Sequence, residues 1–382
     1  MRVAIQSKLE SSGTSIFAVM SGLANEYSAI NLSQGFPDFS IDPLLQQCVV
    51  QAMEEGQVQY SPMPGRLDLR EAISEKIQTL YNTVVDAQTE ITITAGGTQA
   101  IYCALTAIVN AGDEVIIFDP AYDCYDPAVR LNGGIPVHLN LKYPDYRIDW
   151  DELSNRITPR TKLIMFNNPH NPTGTVWSTE DLARLQKIVT LHPDILLLSD
   201  EVYEHIHFGE RHHSFLENPL LMSRSFVVFS FGKTFHVTGW KVGYCVAPPE
   251  LTSELRRNFQ FNTFCVNNTM QCALAKYMRS GDTWTGIPAL YSEKLDLFQN
   301  LMTGSRFRKL PCKGTYFCLY DYSAISDARD TDFAKILTRE FGVASIPLSV
   351  FYQDGSDHKI LRFCFAKKTE TLKNAAALLC KI

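Results

Sequence analysis

The chain has 382 residues, 45% hydrophobic and 20% charged, with a formal net charge of −6, which suits a soluble globular protein of roughly two domains with a sizeable core. No long basic run marks a nucleic-acid surface, and no stretch approaches the roughly 20 apolar residues that span a bilayer. The ten cysteines form no C-x-x-C pair, and Cys103, Cys245 and Cys364 sit inside apolar runs. That usage fits reduced core thiols better than a disulfide framework or a zinc site. The opening MRVAIQSKLESSG lacks the apolar core of a signal peptide, so a cytoplasmic location is expected.

From about residue 90 to residue 280, short β-rich apolar runs alternate with helical patterns. The runs are ITIT (91–94), EVIIF (114–118), KLIMF (162–166), DILLLS (194–199), FVVFS (226–230) and GYCVA (243–247). Consecutive apolar positions suit strands covered on both faces, hence a largely parallel sheet in an α/β fold. After ITIT, the segment TQAIYCALTAIVNAG puts Ile101, Leu105 and Ile108 on one helical face. STEDLARLQKIV opens with Ser178 and Asp181, a variant of the capping box. From about residue 285 the pattern changes, with helices around 289–302, 331–341 and 369–381 and strands near 315–320 and 359–365. This predicts three parts: 1–45 as an N-terminal arm and part of a small domain, 46–284 as a large domain, and 285–382 as the rest of a smaller α+β domain. No internal repeat or low-complexity tract interrupts them.

Ligands of open α/β sheets bind beyond the carboxyl ends of the strands, so the residues that follow each run carry the chemistry. AGGTQA offers Gly97 and Thr98 at a helix N-terminus, a ready anion site, although a plain tight turn fits those residues as well. DPAYDCYDP places Tyr122 where an aromatic can cover a flat ring or simply pack. NNPHNPTG has two Asn-Pro steps, each forcing extended backbone before the proline, which fixes Asn171 in a stiff loop. DILLLS is followed by Asp200, a carboxylate that is costly there unless it meets a cation, donors or a helix to cap. Tyr203 follows. FVVFS ends in Ser230 and leads into Gly232-Lys233-Thr234, the ending of a nucleotide-binding P-loop. That loop requires a glycine where this chain has Val227, so the P-loop reading fails.

Taken in order, NNPHNPTG, SDEVYEHI and SFGKTFHVTGWKVGY resemble fold-type I aminotransferases that use pyridoxal phosphate. The resemblance runs from NLSQGFPDF through QYSPMPGRLDLR to ILRFCFAKK. Within the family it is nearest to bacterial methionine aminotransferases and the kynurenine aminotransferase/glutamine transaminase K group.

The resemblance implies that Lys233 forms a Schiff base with the cofactor aldehyde, that Asp200 pairs with the pyridine nitrogen, and that Asn171 and Tyr203 bond the ring hydroxyl oxygen. Tyr122 would stack on the ring, while Gly97, Thr98, Ser230 and Lys241 would hold the phosphate. Many relatives carry arginine at the Lys241 position, and the nearer groups often carry lysine. Tyr60 matches a residue that reaches the neighbouring subunit's phosphate, which implies a homodimer with shared sites. Arg362, inside the apolar run KILRFCF, would bind the substrate α-carboxylate with help from Gly35 and Asn171. A buried arginine wants such an anion, and a packed edge arginine is the plainer alternative.

Phe17, Phe36, Phe264 and Phe351 map near the side-chain pocket, which implies an apolar, thioether or aromatic amino acid. Kynurenine-type relatives often have tryptophan at Phe17 and histidine at Cys265, so methionine is favoured. The same lysine and aspartate could serve a cysteine-conjugate β-lyase. A cofactor-binding sensor domain would need a DNA-binding segment, and no basic helix-turn-helix precedes the pattern. The histidines of EHIHFGERHH, His205, His207, His212 and His213, lack a metal-ligand frame. They are expected on a polar loop or exposed edge, with no metal.

Overall fold

The computed structural model describes residues 7–9, 13–209 and 211–382. Residues 1–6 and 10–12 of the expected N-terminal arm, and Glu210 in the histidine run, lie outside the described residues.

A seven-stranded sheet forms the centre, in the order Ile91–Thr94, Gly243–Val246, Ser225–Ser230, Leu196–Asp200, Thr161–Asn167, Glu114–Asp119, Ile135–Asn140. Gly243–Val246 runs antiparallel to both its neighbours and the remaining pairs are parallel. Every residue of Ile91–Thr94, Glu114–Asp119 and Gly243–Val246 is buried, as unbroken apolar runs with both faces covered require. The helix Gly97–Ile108 packs on this sheet through Ile101, Leu105 and Ile108. It starts from Gly96 at φ +83°, a left-handed conformation that glycine adopts without strain. The helix Thr179–Leu191 carries the capping box, with Ser178 and Asp181 each satisfying the other's backbone N–H.

The strand Ile135–Asn140 has no apolar run to announce it. It lies at the sheet edge, partly exposed, with Pro136 opposite Val115. A proline is tolerated at an edge because one side of the strand has no ladder to complete.

The C-terminal part builds a four-stranded antiparallel sheet in the order Ile346–Pro347, Ile360–Cys364, Phe317–Asp321, Arg308–Lys309. It comes with the helices Ile287–Leu301, Asp330–Phe341 and Thr369–Leu379. The N-terminal segment joins it: Ile30 and Asn31 pair in parallel with Val343 and Ala344, and Leu32 accepts the Cys364 N–H at 2.8 Å.

The histidine run departs from expectation. His205 and His212 are 6% and 4% exposed, not on a polar loop or edge. His212 Nε2 meets Glu201 Oε2 at 2.9 Å, and His205 sits 3.4 Å from Glu204. Glu201 gives buried His212 its hydrogen-bond partner, whereas His205 Nε2 makes no hydrogen bond and has only the nearby Glu204 charge. Among the described residues, no group of three or more His, Cys, Asp or Glu is arranged to hold a metal ion. No helix among them is long and apolar enough to cross a membrane.

Candidate active site

Three central strands end in polar residues, Asn167, Asp200 and Ser230, and these open onto one cavity at the carboxyl edge of the sheet. Gly97, Thr98, Tyr122, Asn171, Tyr203, Lys233 and Lys241 complete its predicted lining. A larger groove of about 900 Å³, walled by Trp150 and Trp177, lies to one side and holds none of Lys233, Asp200 or Arg362.

Asp200 is 4% exposed. Its Oδ2 accepts the Tyr125 hydroxyl at 2.6 Å and its Oδ1 the Val202 N–H at 3.3 Å. Burial raises its pKa to about 6, against the pull of those donors and of Lys233. A carboxylate so placed has capacity for a cationic donor.

Lys233 rises from the short helix Phe231–Thr234 that follows the Ser225–Ser230 strand. Its Nζ donates to the Tyr316 hydroxyl oxygen at 2.8 Å, while Tyr316 donates its own proton to Gly35 O at 2.5 Å. Burial pushes the Lys233 amine down to about 8, with Lys241 and Arg362 adding to the effect. An amine in that range is a usable nucleophile and base near neutrality.

At the opposite end, the Lys241 backbone adopts φ +53° and its Nζ lies 3.3 Å from where a Gly96 Cβ would stand. A Gly97 Cβ would meet Val202 Cγ1 at 2.9 Å, so only glycine lets the helix start lie this close. Ser230, Thr98 and Lys241 therefore gather beside the N–H groups that open Gly97–Ile108, an arrangement suited to an anion.

Arg362 is 1% exposed on the Ile360–Cys364 strand. Its Nη1 donates to Asn171 Oδ1 at 2.7 Å and its Nη2 to Ser33 O at 3.3 Å. Its buried Nε has no partner. Phe317 lies 3.8 Å from the guanidinium carbon, ring centroid to Cζ, with Phe351 and Phe17 at 5.2 and 5.3 Å. Asn171 is held in turn, its N–H bonding Asn167 Oδ1 at 2.7 Å.

Gly35 lies against Phe317, where a Cβ would come within 2.7 Å of the ring. Phe36 is 44% exposed and stacks under Lys367. Tyr60 and Phe264 pair edge-on at 5.3 Å on the surface, 81% and 54% exposed. The structure thus brings none of Phe36, Tyr60 and Phe264 into this chain's own cavity, whose apolar lining comes instead from Ile101 and Val202.

Sequence reasoning missed Tyr125, Tyr316 and Ser33. Tyr125 stands three residues after Tyr122, at the start of the helix Tyr125–Leu131, and that proximity is its one signal in the sequence. Tyr316 and Ser33 carry none, because their partners are distant in sequence.

The chain matches the family Aminotransferase class I and II over residues 27–379. It is 49% identical to the methionine aminotransferase of Escherichia coli (strain K12), over 97% of this chain and 96% of that protein. A kynurenine–oxoglutarate transaminase of Dictyostelium discoideum is 34% identical, over 97% of this chain and 94% of that protein. A crystal structure from Escherichia coli, for which a methionine aminotransferase function was identified, superimposes with a TM-score of 0.97 at 48% identity, covering 100% of both chains. The chain belongs to the class I and II aminotransferases, and its mostly parallel sheet is that of a fold-type I enzyme.

Proposed function

We propose that this aminotransferase uses pyridoxal phosphate to move the α-amino group of an apolar, thioether or aromatic L-amino acid, methionine first, to a 2-oxo acid. The observation that carries the reading is one cavity joining a buried carboxyl raised to about 6 with a buried amine lowered to about 8. Beside it, Arg362 is bonded to Asn171 and its buried Nε is unpaired. The 49% identical Escherichia coli methionine aminotransferase supports the substrate choice.

The donor set fits the cofactor. Lys233 offers the amine for its aldehyde, Asp200 a carboxylate for its protonated ring nitrogen, and Tyr122 a half-buried ring beside Thr98. Tyr203 and Asn171 supply groups for the ring oxygen. Thr98, Ser230, Lys241 and the helix start at Gly97 serve the phosphate. When bound, the cofactor supplies an electron sink for charge developing at the substrate Cα.

The chain's own residues do the rest. Arg362 binds the α-carboxylate, and Asn171 and Gly35 help fix it. Lys233 Nζ holds or releases the Cα proton, its affinity matched to neutral pH. Asp200 keeps its negative charge for the ring nitrogen. Phe17 and Phe351, 6.0 Å apart beside Arg362, suit a thioether or aromatic side chain. The Dictyostelium relative keeps a kynurenine-type substrate as the second choice.

The exposed Tyr60–Phe264 pair is assigned to a partner subunit's site in a homodimer. The chain divides at 1–45, 46–284 and 285–382, and its ten free cysteines suit the cytoplasm. Protein supplied with pyridoxal phosphate should turn yellow. L-methionine should bleach that band and a 2-oxo acid restore it. A protein that takes up no cofactor would overturn the reading.

A further inference from the structure

His138 lies on the edge strand Ile135–Asn140, opposite Ile117. Both of its ring nitrogens face carboxylates: Nδ1 is 2.9 Å from Asp119 Oδ1 and Nε2 is 2.9 Å from Asp126 Oδ2. A neutral imidazole would turn one lone pair toward a negative oxygen, so the geometry calls for the doubly protonated ring. Burial lowers its proton affinity, but the two carboxylates outweigh it, and the pKa rises to about 9.

Each carboxylate holds something else. Asp126, on the helix Tyr125–Leu131, also takes Arg130 at 2.6 Å. Asp119 ends the strand Glu114–Asp119, and its Oδ2 accepts the Gln353 N–H at 2.8 Å. Two residues on, the Ala121 N–H donates to Phe351 O at 2.8 Å. These two bonds are the seam between the loop that carries Tyr122 and the segment that carries Phe351, the ring beside Arg362. Besides Asp119, Asp126 and Arg130, the titratable groups that line the same hollow as His138 are Lys142, Tyr143, Glu152, Tyr352, Asp354 and His358.

We infer that His138 is a positioning residue: as the cation shared by Asp119 and Asp126, it fixes the Asp119 carboxylate that latches Gln353, and so sets the Phe351 wall of the substrate pocket. The inference rests on the aminotransferase reading for its kinetic consequence, but the latch itself is a property of the folded chain. His138 touches neither Lys233 nor Arg362 and acts through Asp119.

The test is His138→Gln in the cofactor-loaded enzyme, read by amide hydrogen exchange and by steady-state kinetics. At pH 7 the protection of the Gln353 and Ala121 amides should fall about tenfold relative to wild type. KM for L-methionine should rise by a similar factor of about ten, with kcat changed less than about twofold. In wild type, protection at the same two amides should fall as pH rises through about 9, the pKa of His138. In the variant that step should be missing.

A folded variant with unchanged protection at both amides would overturn the latch. So would a wild type whose protection factors stay flat from pH 7 to 10, a measurement that decides the matter even if the variant does not fold. Wild-type methionine turnover tests the aminotransferase reading separately, since exchange needs no substrate.

Discussion

Tyr125 donates its hydroxyl to Asp200 at 2.6 Å, and both side chains are buried. The bond supports the ionised carboxylate in a place where desolvation opposes it. Tyr125→Phe keeps the ring and removes only the donor, so the Asp200 pKa should rise above its present value of about 6. Affinity of the cofactor-free protein for pyridoxal phosphate should fall roughly tenfold at pH 7, the worth of one hydrogen bond to a charged group. The pH at which affinity is lost on acidification should move upward. Titrating cofactor uptake by absorbance between pH 5 and 8 measures both effects.

Arg362→Ala should lower kcat/KM for methionine by about 100-fold or more, since a charge-assisted, bidentate partner of the carboxylate disappears. The yellow colour should remain, because Arg362 does not line the cofactor cavity. Methionine turnover that survives the change unaltered would remove Arg362 from the carboxylate role.

Tyr316→Phe removes the oxygen that accepts from Lys233 Nζ at 2.8 Å. The protonated amine loses an acceptor, so its pKa should drop below about 8. In the cofactor-free protein, the half-point for acylation of Lys233 by an amine reagent should shift to lower pH. Mass-spectrometric labelling across pH 6 to 10 follows it residue by residue.

Behind the cavity, Lys76 pairs with Glu204, which also takes the Tyr81 hydroxyl at 2.6 Å. Burial alone would raise Glu204, yet Lys76 and His205 hold it well below its ordinary value of 4.5. A depressed carboxylate contributes stability above that ordinary value and loses it as pH falls below it. Lys76→Met leaves a buried charge without its cation and should cost about 3–5 kcal/mol in urea unfolding. The double variant with Glu204→Leu should recover most of that loss. If the single change proves neutral, the pair has no structural weight.

The reading of the strands rested on unbroken apolar runs; it found six of the seven strands of the central sheet and missed the short buried strands Val343–Ala344 and Ile346–Pro347. It failed at Ile135–Asn140, where an edge position asks for no such run. Lys233, Asp200 and Asn171 were legible because strand ends concentrate ligand chemistry. Tyr125 and Tyr316 were not, because what they hold lies 75 and 83 residues away. The buried histidines misled for the same reason: Glu204, beside His205, is compensated by a lysine 128 residues distant. Polarity in the sequence marks a need for partners, and only the fold says whether they are present.

Ser33 and Arg362, 329 positions apart, meet in one hydrogen bond. This imposes a timetable on biosynthesis. The groups proposed for the cofactor, Gly97 to Lys241, leave the ribosome early enough to assemble while translation continues. Ile30–Asn31 must wait for Val343–Ala344, made far later, before it finds its partner strand. A nascent or prematurely terminated chain would thus carry the elements for the cofactor before it has any means of choosing an amino acid.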